Sequence, residues 1–117
     1  YVHLTAPNRP YPEILEDVKK EYERIDATYS VPYFPHVSIG WDNNPRFKKL
    51  KKDIMTENTP ENFEKALRLA KEYADTHDLP AKLITVNSWN EWTETSYLEP
   101  DDLNGYGYLE AIKRVFG

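Results

Sequence analysis

The chain has 117 residues, 39% of them hydrophobic and 14% aromatic, and 15 Lys plus Arg against 20 Asp plus Glu give a formal net charge of −5. That content is enough for the core of one domain and argues against disorder over most of the length, and scattered cations in an acidic chain are the opposite of a nucleic-acid footprint. The absence of cysteine excludes disulfides, thiolate metal sites and a cysteine nucleophile, and no apolar run approaches the ~20 residues of a membrane-spanning helix.

In chain order, the opening "YVHL" (1–4) reads as the tail of a strand, which implies more chain upstream. From about Pro12 to Tyr29, Leu15, Val18, Tyr22, Ile25 and Tyr29 recur at steps of three and four among charges, which predicts an amphipathic helix opening on proline. "VPYFPHVSIG" predicts a short strand around His36 to Ile39, with a loop from Gly40 into "GWDNNPR". "RFKKLKKD", Arg46 to Asp53, is the densest basic run; short and followed by acids, it reads as a solvated face rather than a polyanion site.

A helix is clearest in "NTPENFEKALRLAKEYADTH", with Thr59 as N-cap, Pro60 in the first helical position, and Phe63, Ala66, Leu67, Ala70 and Tyr73 on one face. Glu61 with Lys65 and Glu64 with Arg68 stand at supporting four-residue spacing. "AKLITV" (81–86), short, continuous and β-branched, reads as a buried strand. "EPDDLNG" fails as a calcium loop at Leu103 and reads as a turn plus helix cap. A last helix, "GYGYLEAIKRVF", would face Leu109, Ile112 and Phe116 inward.

Strands alternating with helices imply an α/β fold with parallel pairing, either an open layer or a (β/α) barrel. A complete barrel takes about 250 residues, so as a barrel this chain would be a C-terminal portion of two to three βα units. Reactive groups in such folds gather at the C-terminal ends of the strands. Both polar-aromatic clusters fall there: "GWDNNPR" after one strand and "NSWNEWTETSYLEP" (87–100) after the next, whereas the helix-to-strand connections are plain turn material.

Glu91 and Glu94 are three residues apart. In an extended strand they would point to opposite faces, but in a turn they would share one side, where one can act as acid and the other as base. For glycoside hydrolysis, carboxyls near 5 Å apart suit retention and roughly 6.5–9.5 Å suits inversion. Trp89 and Trp92 offer flat apolar faces to a pyranose, and Asn87, Asn90, Asp42 and Asn43 can hydrogen-bond its hydroxyls. Arg46 either clamps an anionic group of a substrate or pairs with Asp42 to brace the loop. The histidines lack metal-ligand spacing, and no phosphate loop or nucleophile elbow is present, so neither metal nor cofactor is expected.

"GWDNNPR", a helix, and then "NSWNEWTETSYLEPDDLNGYGYLEAI" resemble, from about Tyr33 to Phe116, the C-terminal part of the WbsX-like or glycoside hydrolase family 99-like domain, related to the endo-α-mannosidases. The resemblance implies a (β/α)8 barrel of which residues 1–117 are one segment, completed by the remainder of its own chain. It implies Glu91 as general base and Glu94 as general acid of a retaining, metal-free reaction on an α-mannoside-type oligosaccharide or polysaccharide. In that mechanism the base deprotonates the sugar's own 2-hydroxyl, which attacks the anomeric carbon. Trp41, Asp42, Asn43 and Arg46 fall on the family's other motif and would line or brace the pocket. The pattern departs at Thr95, where the family often has glycine; a β-branched residue is expected to resist a positive-φ turn there. Two alternatives stand beside the hydrolase: a transferase of surface polysaccharide assembly, and a noncatalytic carbohydrate-binding domain.

Overall fold

The computed structural model describes residues 8–117, so the strand expected at 1–4 lies outside the described residues. The order is β1 (Arg9–Pro10), α1 (Tyr11–Thr28), β2 (His36–Ser38), β3 (Met55–Thr56), α2 (Pro60–Thr76), β4 (Thr85–Asn87), β5 (Asn90–Glu91), β6 (Ser96–Tyr97) and α3 (Gly107–Phe116). Single turns of 3-10 helix occupy Asn44–Arg46 and Trp92–Glu94. β2 and β4 pair in parallel, Val37 opposite Val86, with α2 in the connection between them. That makes a βαβ unit and an α/β fold. β1 and β3 form a second parallel pair, and β5 and β6 a small antiparallel one.

Sequence periodicity accounts for the helices. α1 buries Ile14, Leu15, Val18 and Tyr22, a stripe at steps of three and four. α2 starts where the Thr59 side chain accepts from the Asn62 N–H, with Pro60 in the first turn. It buries Phe63, Ala66, Leu67, Ala70 and Tyr73, as expected. Phe63 and Leu67 are fully buried, and burying side chains of that size contributes about 1.5–3 kcal/mol each. The Tyr11 hydroxyl donates to the Ser38 carbonyl and ties α1 to β2. Glu64 meets Arg68 at 2.6 Å as expected, but Lys65 turns instead to Asn62 Oδ1, so Glu61 does not gain the lysine.

Two burial expectations are corrected. α3 turns Tyr108, Ala111 and Val115 inward, leaving Ile112 partly buried and Phe116 exposed. Tyr108 selects that face: its ring packs edge-on against Phe63 and its hydroxyl donates to the Asn58 carbonyl. β4 is half-exposed rather than buried, because among the described residues only β2 covers one of its edges. Leu83, Val86, Ile112 and Phe116 accordingly line an open apolar groove with Leu67 and Ile84.

Candidate functional site

β2 and β4 run parallel, so the segments that leave their C-terminal ends emerge on one side of the sheet. Gly40, just past β2, is where the two segments touch. A Cβ there would lie 2.6 Å from the Thr95 carbonyl oxygen and 2.5 Å from Asn58 Nδ2, so only glycine fits. Two residues on, the Asp42 N–H donates to the Glu94 carbonyl at 2.9 Å, and the Thr95 hydroxyl donates to the Asp42 carbonyl at 3.1 Å. These bonds dock "GWDNNPR" onto "WNEWTETS".

Thr95 overturns the expectation that it would resist a left-handed turn. It adopts φ 52°, ψ 40° at the end of the Trp92–Glu94 turn. Its N–H donates to the Trp92 carbonyl and its hydroxyl is spent on Asp42, so hydrogen bonds offset a backbone cost of about 1–3 kcal/mol.

Serines close the rest of the loop. The buried Ser96 hydroxyl lies 2.8 Å from the Asn87 carbonyl and 2.7 Å from Asn87 Oδ1. Ser88 Oγ donates to the Ser96 carbonyl and accepts from the Glu91 N–H. The Asn87–Ser88 peptide is cis.

This frame places Arg46 against both glutamates. Its Nη2 lies 2.9 Å from Glu91 Oε1 and its Nη1 2.8 Å from Glu94 Oε1, while Nε donates to Thr93 Oγ1 at 2.8 Å. The Thr93 hydroxyl in turn donates to Glu91 Oε1 at 3.1 Å. The two glutamates therefore lie on one side of the loop, with the bound oxygens within roughly 8 Å of each other because both touch one planar guanidinium. Opposite faces, the extended-strand alternative, are ruled out. Among the described residues no hydrogen bond holds Oε2 of either glutamate, so each keeps one oxygen outside the clamp. Glu94 is the more enclosed, its side chain 17% exposed against 44% for Glu91.

Arg46 is thus not paired with Asp42: the anions it holds are the chain's own Glu91 and Glu94. Asp42 Oδ1 caps Asn44, accepting from its backbone N–H and its Nδ2. Trp41 is partly buried and packs against the hydrophobic core. Asn43 is partly buried, its Oδ1 enclosed without a partner among the described residues. Asn87 supports the loop through Ser96, whereas Trp89 and Asn90 are exposed beside the glutamates. Trp92 lays one ring face on Tyr97, centroids 3.9 Å apart, and donates Nε1–H to Glu99 at 2.7 Å. Desolvation and the neighbouring Asp101 push the Tyr97 hydroxyl up to about 12, so it stays a donor to that carboxylate.

Thr93, Ser88, Ser96 and Tyr97 were not singled out from sequence. Hydroxyls gain meaning only from the partners a fold supplies, and the Thr-Glu and Glu-Thr pairs around position 94 were the one hint. His36 behaves as a rim residue satisfied by Thr85 Oγ1 at 2.8 Å. "EPDDLNG" is a turn closed by Asp101 and Gly105 with no helix-capping side chain. Among the described residues no group of His, Cys, Asp and Glu could hold a metal ion.

Residues 4–112 match the family model described as Glycosyltransferase WbsX. The chain belongs to this family. Two WxcX proteins of Xanthomonas campestris pv. campestris, one from strain B100, are 33% identical to it over 83 residues, which is 70% of this chain and 12% of theirs. The chain thus spans about an eighth of the length of the curated relatives it matches. No solved structure matches it. WbsX membership places the Arg46–Glu91–Glu94 cluster in a family whose description is that of a glycan-acting enzyme.

Proposed function

We propose that the cluster is the acid/base centre of a retaining glycoside hydrolase-like reaction on an α-mannoside-type or related glycan. The observation that carries the reading is the shared guanidinium: Arg46 holds Oε1 of both glutamates, offsets their mutual repulsion and leaves each Oε2 for a substrate. A guanidinium fixed against both carboxylates also keeps the acid and the base in position for the chemical step.

Glu91 takes the proton of the sugar 2-hydroxyl as O2 attacks the anomeric carbon. The bond from that carbon to the leaving oxygen breaks, and Glu94 gives that oxygen its proton. Water then opens the three-membered ring at the anomeric carbon, losing a proton to Glu94, while Glu91 returns its proton to O2. Both glutamates end as they began. Trp89 and the outer face of Trp92 would stack on the flanking sugar rings.

The fold proposed for the whole protein is a (β/α)8 barrel, with these residues as a C-terminal part. The parallel β2–α2–β4 unit, the open apolar edge at β4 and the chain's eighth share of its relatives support that reading. A second reading, transfer to an acceptor sugar in polysaccharide assembly, is favoured by the family's description. Both use the same pair, and release of reducing sugar without acceptor separates them. The test is Glu91→Gln and Glu94→Gln in the whole protein: turnover falls by about 10³-fold or more with glycan binding largely kept, whereas a noncatalytic binding module would have no turnover to lose.

A further inference from the structure

The cations of this chain are distributed unevenly once their partners are counted. All five arginines form ion pairs, as do Lys19, Lys20, Lys71 and Lys82 of the ten lysines. Of the other six, four are Lys48, Lys49, Lys51 and Lys52. Each is exposed, and among the described residues none has a carboxylate within 4.0 Å. The sequence reads this run as a solvated face; on a helix such a face would interleave lysines with acids at four-residue spacing. This run is not helical.

It is also held in one shape. The Asn44 side chain holds both backbone polar groups of Lys51, Oδ1 accepting from the Lys51 N–H at 2.6 Å and Nδ2 donating to the Lys51 carbonyl at 3.0 Å. Asn44 is itself fixed by Asp42. Lys51 Nζ lies 3.5 Å from the centre of the Phe47 ring. The loop leaves the chain one residue after Arg46, so its base is the base of the glutamate clamp.

We propose that Lys48, Lys49, Lys51 and Lys52 form a subsite for the anionic residues of an acidic glycan, positioned beside the Glu91–Glu94 pair. This deepens the proposed function, on which it rests, by naming the substrate class: a chain that carries carboxylate or phosphate groups next to the linkage acted upon. The division of charge fits that class. The glutamates repel an anion at the reacting sugar, while the lysines attract one farther along the same chain. Exposed charges interact over about one screening length, roughly 8 Å at physiological salt, so the attraction weakens steeply as salt rises.

The experiment measures binding rather than turnover. A galacturonic acid hexamer and its carboxyl-reduced galactose counterpart are titrated into the whole protein at 20 and 300 mM salt, in the wild type and in K48Q/K49Q/K51Q/K52Q. The wild type should bind the acidic hexamer about tenfold more tightly than the neutral one at low salt and lose that preference at high salt. The variant should lose the preference at both salts and keep its affinity for the neutral hexamer. Equal wild-type affinities, or a preference that survives in the variant, would overturn the subsite. So would lysine-dependent binding to phosphatidylglycerol vesicles with no preference between the hexamers, which would make the loop a membrane contact. Turnover that depends on Glu91 and Glu94 alongside equal hexamer affinities removes this inference alone, whereas turnover indifferent to both glutamates removes the catalytic reading and leaves the binding result standing.

Discussion

α2 and the loop after β4 are the two best-patterned stretches of the chain, and they are held by different forces. α2 buries eight of its seventeen residues and is fixed by packing. The loop from Ser88 to Thr95 has no buried residue, yet every turn of it is pinned, by Ser88, Ser96, Thr93 and the Arg46 clamp. Stability resides in the first region and geometry in the second, so substitutions in the two should separate stability from activity.

Phe63→Ala should show the largest stability effect. The side chain is fully buried against Tyr108, and its loss should cost about 3–5 kcal/mol in chemical denaturation. A cost below about 1 kcal/mol would mean that the helical layer does not carry stability. Gly40→Ala attacks the junction between the regions: the added carbon meets Thr95 and Asn58. The expected cost is about 1–3 kcal/mol, together with a fall in turnover, because the junction sets where Arg46 meets the glutamates. Thr95→Ala keeps the left-handed backbone but removes the bond to Asp42, for about 1 kcal/mol.

The smallest effect is pH-dependent and belongs to the helical region. Asp26 on α1 lies 2.8 Å from His77 Nε2 at the end of α2 and accepts from the Tyr73 hydroxyl at 2.5 Å. Hydrogen bonding to Asp26 raises the His77 value above its ordinary 6.5. Desolvation pushes Asp26 upward, but Tyr73 and His77 outweigh it and leave Asp26 below its ordinary 3.8. The histidine contribution is therefore complete below about 6.5 and lost as pH rises through its raised value. The aspartate contribution is present above about 3.8 and lost as pH falls through its lowered value. Both partners are about a third or more exposed, so the pair stabilises by about 0.5 kcal/mol. His77→Asn should flatten stability between pH 6 and 8 by that amount, and an unchanged pH profile would show that the pair contributes nothing.

Legibility in the sequence follows the same division. The helices, Thr59 as a cap and the strand at His36 were legible because periodicity and capping are local. The burial of β4 and the inward face of α3 were misjudged because burial depends on neighbours: β4 has one paired edge, and the Tyr108 hydroxyl needed Asn58. Glu91 and Glu94 stood out by spacing and residue type. Arg46 stood out as a site residue but not as their counter-ion, since it lies 45 positions away from Glu91 and only the docking of two loops brings it in. Thr95 was misread for the complementary reason: its torsional preference is local, while the carbonyl of Asp42 that outweighs it is not.

The most direct test of the central claim compares Glu94→Gln, Glu91→Gln and Arg46→Lys in the whole protein, measuring turnover of an α-mannoside-type oligosaccharide, its pH profile and denaturation side by side. Each glutamine variant should lose about 10³-fold or more in turnover with stability changed by no more than about 1 kcal/mol. Arg46→Lys keeps the charge but not the fork, so it should lose less turnover and move the pH profile. Turnover that survives both glutamine substitutions in a folded protein would contradict the account.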